Sequence, residues 1–130
     1  MSEGVDTLVG HDGDDYLSAG DGDDFYLEGS AGADTIDGGA GIDEATYWNS
    51  DAAVNIDLTA GVGLGGFAQG DVFMNVENIH ASTFNDTLRG DGAANHLRGE
   101  GGNDLIDGAG GNDSLYDGRG NDTLSGVRLM

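Results

Sequence analysis

The chain repeats itself every nine residues over most of its length. In frames of nine from Met1 it reads MSEGVDTLV, GHDGDDYLS and AGDGDDFYL, then, after one extra residue at Glu28, GSAGADTID and GGAGIDEAT to Thr46. The frame returns at Ala81 as ASTFNDTLR, GDGAANHLR, GEGGNDLID, GAGGNDSLY and DGRGNDTLS, ending at Ser125. Across these ten units position six is Asp in nine and Asn in one. Position eight is large and apolar except at Ala45, and position four is Gly except at Phe84 and Ala93. So short a period, held over two arrays, restricts the chain to a stack of like coils, since no single unit can bury a hydrophobic face alone.

Each part of the unit has a mechanical reading. The Gly-rich six residues suit a tight turn with left-handed backbone. The three that follow, such as Thr87-Leu88-Arg89, put the middle side chain on one face and its neighbours on the other, which is a very short strand. Helix is excluded by the glycine density and by the lack of a 3.6-residue period. Between the arrays, residues 47–80 keep strand character but lose the frame. Ala53 to Leu58 alternates apolar and polar, as does most of Asp71 to Ile79, while Gly61 to Gly66 reads as a loop. The expected organisation is one domain over 1–130. It comprises a first array at 1–46, a spacer at 47–80 that continues the stack, a second array at 81–125 and a tail at 126–130.

Composition narrows the function classes. Four basic residues stand against 25 acidic ones, for a formal charge of −21. That excludes a basic footprint for nucleic acid or anionic lipid. No apolar run approaches the roughly 18 residues of a spanning helix. Leu, Ile, Val and Phe make only 27 of the 130 residues, close to the level of about 20% at which high net charge predicts disorder. A folded chain of this kind needs something cationic to hold it together, and with no Cys, disulfides are unavailable for that task. The N-terminal residues carry no basic-then-apolar leader.

The units resemble the RTX, or hemolysin-type, calcium-binding nonapeptide, G-G-x-G-x-D-x-U-x with U large and apolar. Gly108 to Tyr116 and Gly118 to Leu124 match it closely. The spacer is similar to segments found between RTX arrays: Val54 to Leu58, Gly70-Asp71, Val76 to Ile79, then Phe84 to Leu88. The resemblance implies an all-β fold, a parallel β-roll (a right-handed β-solenoid) in which two units make one turn. It also implies Ca2+ between turn n and turn n+2, several ions in all and up to about six from the two arrays. The implied pairs are Asp6 with Asp24, Asp15 with Asp34, and Asp24 with Asp43 in the first array. In the second they are Asp86 with Asp104, Asn95 with Asp113, and Asp104 with Asp122.

The remaining implied ligands are backbone carbonyls of the turns. In the first array these belong to Gly10, Asp12, Ala19, Gly20, Asp21, Gly22, Gly32, Gly39 and Gly41. In the second they belong to Gly90, Gly92, Gly99, Glu100, Gly101, Gly102, Ala109, Gly111, Gly118 and Gly120.

Electrostatics reach the same need. Stacked coils lie about 4.8 Å apart, and at an effective dielectric near 20 each carboxylate pair at that spacing costs on the order of 3 kcal/mol. The five Asp–Asp pairs would together approach roughly 15 kcal/mol, the whole stability of a typical domain. Oxygen-only ligands with many carbonyls select Ca2+ over zinc, copper or Mg2+.

Other chemistries fit less well. An EF-hand loop starting at Asp12 or Asp21 would need Gly at its sixth and Glu at its twelfth position. It meets Leu17 and Asp23 in one case, Tyr26 and Gly32 in the other. A glycosidase carboxylate pair is unnecessary where the turn ladder accounts for the repeat aspartates. The three histidines, His11, His80 and His96, occupy unlike places, form no catalytic set and read as solvated surface residues. No catalytic residue is expected. Tyr16, Phe25, Tyr26 and Tyr116 fall at frame positions seven, seven, eight and nine, which places Tyr26 in the core and leaves the others on the surface. Position three carries no regular Thr or Asn row for ice binding.

The expected function is a non-catalytic, calcium-binding module of a type I secreted protein. Such a module stays unfolded at cytosolic calcium and folds on Ca2+ outside the cell, where modules bind at about 10⁻⁴–10⁻³ M. It is expected to be a monomer. The alternative is a module that contacts a polysaccharide or a cell surface. The short tail after the last repeat suggests part of a longer protein.

Overall fold

The computed structural model describes residues 4–126; Met1–Glu3 of the first unit and residues 127–130 of the tail lie outside the described residues. Each repeat contributes one three-residue strand, centred on its apolar position. The first array gives β1 (Thr7–Val9), β2 (Tyr16–Ser18), β3 (Tyr26–Glu28), β4 (Thr35–Asp37) and β5 (Glu44–Thr46). The spacer gives β6 (Asn55–Asp57), β7 (Val62–Leu64), β8 (Val72–Met74) and β9 (Asn78–His80). The second array gives β10 (Thr87–Arg89), β11 (His96–Arg98), β12 (Leu105–Asp107), β13 (Ser114–Tyr116) and β14 (Thr123–Ser125). The protein is all-β; the one helical element among the described residues is a 3-10 turn at Gly66–Ala68. No described helix is long and apolar enough to cross a membrane.

Alternate units go to alternate sheets. One sheet has six strands in the order β1-β3-β5-β9-β11-β13, all parallel, and the other has eight, β14-β12-β10-β6-β7-β8-β4-β2. Register is kept through the apolar position: Leu8 faces Leu27, Leu17 faces Ile36, Leu88 faces Ile106 and Leu97 faces Leu115. These middle side chains build one core. Leu27, Ile36, Ile56, Ile79, Leu97 and Ile106 are fully buried, with Leu8 and Leu115 packed against them at the ends. Each such burial contributes about 1.5–3 kcal/mol. The flanking positions seven and nine point outward, as the strand period requires.

The structure corrects the frame at one point. The extra residue of the third unit is not Glu28 but Phe25, inserted between the aspartate and the strand. Thr7 pairs with Tyr26 and Val9 with Glu28, so Leu27 takes the core position. Tyr26 is 37% exposed and Leu27 is 0%. The physical reason is polar: outside, the Tyr26 hydroxyl donates to Glu28 Oε2 at 2.6 Å, a partner the apolar core lacks.

The spacer holds a second correction. The stretch read as a loop, Gly61 to Gly66, contains strand β7, which runs antiparallel between β6 and β8. Gly63 faces inward opposite Ile56 because a Cβ there would meet the Ala68 carbonyl at 2.7 Å and the Phe73 ring at 3.3 Å. The other spacer strands rejoin the stack in parallel, β6 on β10, β8 on β4 and β9 on β5.

Candidate metal centre

The position-six side chains form two ladders along the turns. In each rung the backbone N–H of one unit donates to the carboxylate Oδ1 of the unit two further on: Asp6 to Asp24, Asp15 to Asp34 and Asp24 to Asp43, at 2.7–2.9 Å. Asp86 to Asp104, Asn95 to Asp113, and Asp104 to Asp122 repeat it in the second array at 2.7–2.9 Å. These are the pairs the two-unit turn requires. The backbone donor offsets part of the repulsion between stacked carboxylates.

The second carboxylate oxygen is the informative one. The Oδ2 atoms of Asp15, Asp24, Asp34, Asp43 and Asp104 are buried and have no hydrogen-bond partner. A buried anionic oxygen left this way is costly. Its effect is visible in the acidities: burial, ahead of neighbouring charge, raises the Asp43 carboxyl to about 7 and the Asp104 carboxyl to about 6. Burial likewise raises Asp34.

These oxygens lie against the first residue of their own turn. A Cβ on Gly10 would meet Asp15 Oδ2 at 2.7 Å, and Cβ atoms on Gly29, Gly38, Gly99 and Gly108 would overlap Asp34, Asp43, Asp104 and Asp113. Glycine at position one thus leaves room for the carboxylate, a role beyond that of making the turn.

The turns supply oxygens of a second kind. Positions two and four take positive φ in most repeats, for example Gly20 at 95° and Gly22 at 115°, or Gly118 at 79° and Gly120 at 127°. The carbonyls of Gly4, Gly13, Gly20, Gly22, Glu100 and Gly102 lie against the turn two units on, as do those of Phe84 and Ala93. Gly32, Gly39, Gly41 and Gly111 sit at the same left-handed positions. His11, Ser30, Glu100 and Ala109 adopt them without being glycine, a strained choice. Three of the expected carbonyl ligands already accept hydrogen bonds, two of them from backbone: Gly20 from the Ala40 N–H at 3.0 Å and Glu100 from the Arg119 N–H at 2.8 Å. Gly90 accepts from the Thr59 hydroxyl at 2.7 Å. Asp12, Ala19, Asp21, Gly92 and Gly101 lie in the turns with left-handed φ at none of them.

The start of the second array departs from this pattern. Neither the Ala81 nor the Gly90 unit has a left-handed residue. Asp86 is satisfied by protein alone: Oδ1 accepts from Val54 N–H and the Ser82 hydroxyl, and Oδ2 from Ser82 N–H, at 2.7–3.0 Å. Asn95 spends its amide on Glu77 O at 2.7 Å and Asp91 N–H at 2.9 Å.

Two further features go beyond the position-six pairs of the repeats. The spacer acids continue both ladders, with Asp34 N–H donating to Asp71 Oδ1 at 2.8 Å and Asp43 N–H to Glu77 Oε1 at 2.9 Å. Position five makes a ladder of opposite sense. Asn85 accepts from Asn103 N–H and Asn103 from Asn121 N–H at 2.7–2.9 Å, as Asp14 and Asp23 do from Ala33 and Ile42 at 2.8–2.9 Å. The Asn or Asp at position five, plain in the repeat, was the available signal.

Side chains alone do not complete a site: among the described residues no group of three or more His, Cys, Asp or Glu can hold a metal ion. The oxygens these turns offer are carboxylate and backbone carbonyl, and the ladders include no thiol or imidazole. That suits a hard cation with six to eight oxygen ligands, Ca2+ before Mg2+. The buried, unpaired Oδ2 atoms fit such an ion. The family model of the RTX calcium-binding nonapeptide repeat matches residues 2–27, 26–45, 80–115 and 107–126, which is more than half of the chain. No curated protein matches the sequence.

Proposed function

Because this chain belongs to the RTX calcium-binding nonapeptide repeat family, we propose that residues 1–130 act as one calcium-folded unit of a secreted protein. The observation that carries this reading is the set of five buried Oδ2 atoms with no protein partner. Asp15, Asp24, Asp34, Asp43 and Asp104 would hold Ca2+ with the turn carbonyls, Asp6, Asp113 and Asp122 completing the ladders at their ends. Asp86 and Asn95 contribute least, their side chains being engaged by protein.

Bound Ca2+ supplies charge neutralisation and a rigid oxygen cage. Six ions would take the formal charge from −21 to about −9. The chain's own part is to fold only when that charge arrives. With few large hydrophobes and a high net charge it stays extended at cytosolic calcium, the state suited to export by a type I pathway. Outside, millimolar calcium converts binding free energy into folding free energy. The unit is monomeric and non-catalytic, a folding and stability module for whatever it is joined to.

Calorimetric titration with calcium, followed in parallel by circular dichroism, tests this. Saturable binding of several ions should coincide with the gain of β signal. Persistence of that signal in excess chelator at low ionic strength would refute it.

A further inference from the structure

The outward face of the six-stranded sheet carries a feature the calcium ladders do not use. Three hollows of about 280, 240 and 260 Å3 adjoin there, all sharing Glu100. Trp48 and Tyr116 line two of them each, and Tyr26 closes the end of a third. Trp48 is 49% exposed and Tyr116 53%. Trp48 is held in place by His80, whose ring lies 5.5 Å away, centroid to centroid.

His80, read from sequence as a solvated residue, is instead half-buried, with Nδ1 3.9 Å from Glu44 and Nε2 3.2 Å from Glu100. Register explains the assembly. Thr46, His80, Arg98 and Tyr116 stand side by side on successive strands, and Trp48 and Glu100 each follow two residues after their strand's outward position.

We propose that this groove binds a saccharide chain. A sugar ring has apolar C–H faces that pack on aromatic rings, and hydroxyls that both donate and accept. The groove offers rings at Trp48, Tyr26 and Tyr116, an acceptor at Glu100, and donors at Arg98 and Arg119. Two of the four arginines of a chain with charge −21 are gathered here, so this face is locally balanced where most of the surface is acidic. Each hollow is smaller than the roughly 300–1,000 Å3 of an enclosing small-molecule pocket. Their contiguity therefore suits an extended chain lying across several of them.

Trp48 is the only tryptophan, so its fluorescence reports on the groove directly. The calcium-loaded protein is titrated with cellohexaose, a neutral chain, and with a hexamer of uronic acid. Saturable change with either supports the proposal, and the stronger of the two identifies the charge of the sugar. In calorimetry with that probe, Trp48→Ala and Tyr116→Ala should weaken binding about tenfold or more. Tyr16→Ala, on the opposite sheet, should leave it unchanged. Bound calcium and circular dichroism must be the same in all three variants, which separates loss of the groove from loss of the fold. No response to either probe, or an equal loss in Tyr16→Ala, would overturn the proposal.

Discussion

The Tyr47 hydroxyl donates to Asp71 Oδ2 at 2.5 Å in the interior of the spacer. Asp71 is the next rung after Asp34, whose N–H it receives on Oδ1, so at this rung a phenol supplies the partner that the repeat aspartates lack. Asp86 is served in the same way by Ser82. The middle of the stack thus leans most on protein donors, and the aspartates with a bare buried oxygen lie on either side of it. Tyr47 also packs edge-on against Phe73, with ring centroids 6.2 Å apart.

Tyr47→Phe keeps that ring contact and removes only the donor. Asp71 would be left with a bare buried oxygen, at a cost of about 1–3 kcal/mol. The thermal midpoint in saturating calcium should fall, while the number of ions bound stays the same. A variant that loses ions instead would show that Asp71 itself belongs to a calcium site.

Asp104 serves both neighbours: its Oδ1 holds Asp86 N–H, and its own N–H is held by Asp122. Asp104→Ala should therefore cost two ions and orphan a buried N–H, worth about 1–3 kcal/mol. Asp122→Ala should cost one ion and fray only the last coil, because solenoid stability is mostly nearest-neighbour. Bound calcium per chain and thermal midpoint measure both. Equal losses would contradict the two-unit turn.

Occupancy at Asn95–Asp113 should be the last to fill in a calcium titration. A neutral amide has replaced a formal ligand charge, and affinity follows the charge count. That amide is, moreover, committed to Glu77 and Asp91. Calcium-limited crystals with this position full and others partly filled would contradict the assignment.

The raised acidities of Asp43, about 7, and Asp104, about 6, give a pH dependence with a definite sign. Between roughly pH 4 and 7 the cation-free fold binds more protons than the unfolded chain, so its stability falls as pH rises through that window. Calcium requires the carboxylates ionised and displaces those protons. Calcium affinity should consequently weaken as pH drops from 8 to 5, with proton release detectable by calorimetry in buffers of different ionisation enthalpy. Affinity independent of pH over that range would count against these two carboxylates as ligands.

Glycine at position one provides a sharper structural test. Gly29→Ala would drive a methyl into Asp34 Oδ2, whereas the Cβ of Gly92→Ala meets nothing within 4 Å. The first should lower calcium affinity and stability together. The second should be neutral or stabilising by about 0.4–1 kcal/mol. Matching effects in the two variants, read by calcium titration and thermal melting, would show that the contact does not matter.

The repeat made the stack legible. A period of nine with one apolar position per unit places Leu8 on Leu27 and Leu88 on Ile106, and the same arithmetic stacks Asp104 on Asp86. What the period could not decide was anything that breaks it. Tyr26 and Leu27 are both apolar neighbours, and the choice between them turned on a hydroxyl that needs Glu28. Gly63 looked like loop chemistry because an inward glycine is rare in a strand; here Ala68 and Phe73 leave no space for more. Asp71 and Glu77 sit outside the frame, so their place on the ladders emerged only when β8 and β9 paired with the first array. The closeness of Trp48, His80 and Glu100 depends on strands 34 and 18 residues apart in sequence meeting on one face.

The single inserted residue, Phe25, is absorbed between the aspartate and the strand. Asp24 still receives Asp6 N–H on one side of it, and Leu27 still meets Leu8 on the other. Both lattices, the oxygen ladder and the aliphatic core, are therefore anchored independently of the joint that links them. That joint is where the chain tolerates extra length. Added length at Phe25 would leave both the Asp24 rung and the Leu27 contact in register, whereas an insertion at Asp24 or Leu27 would break one of them.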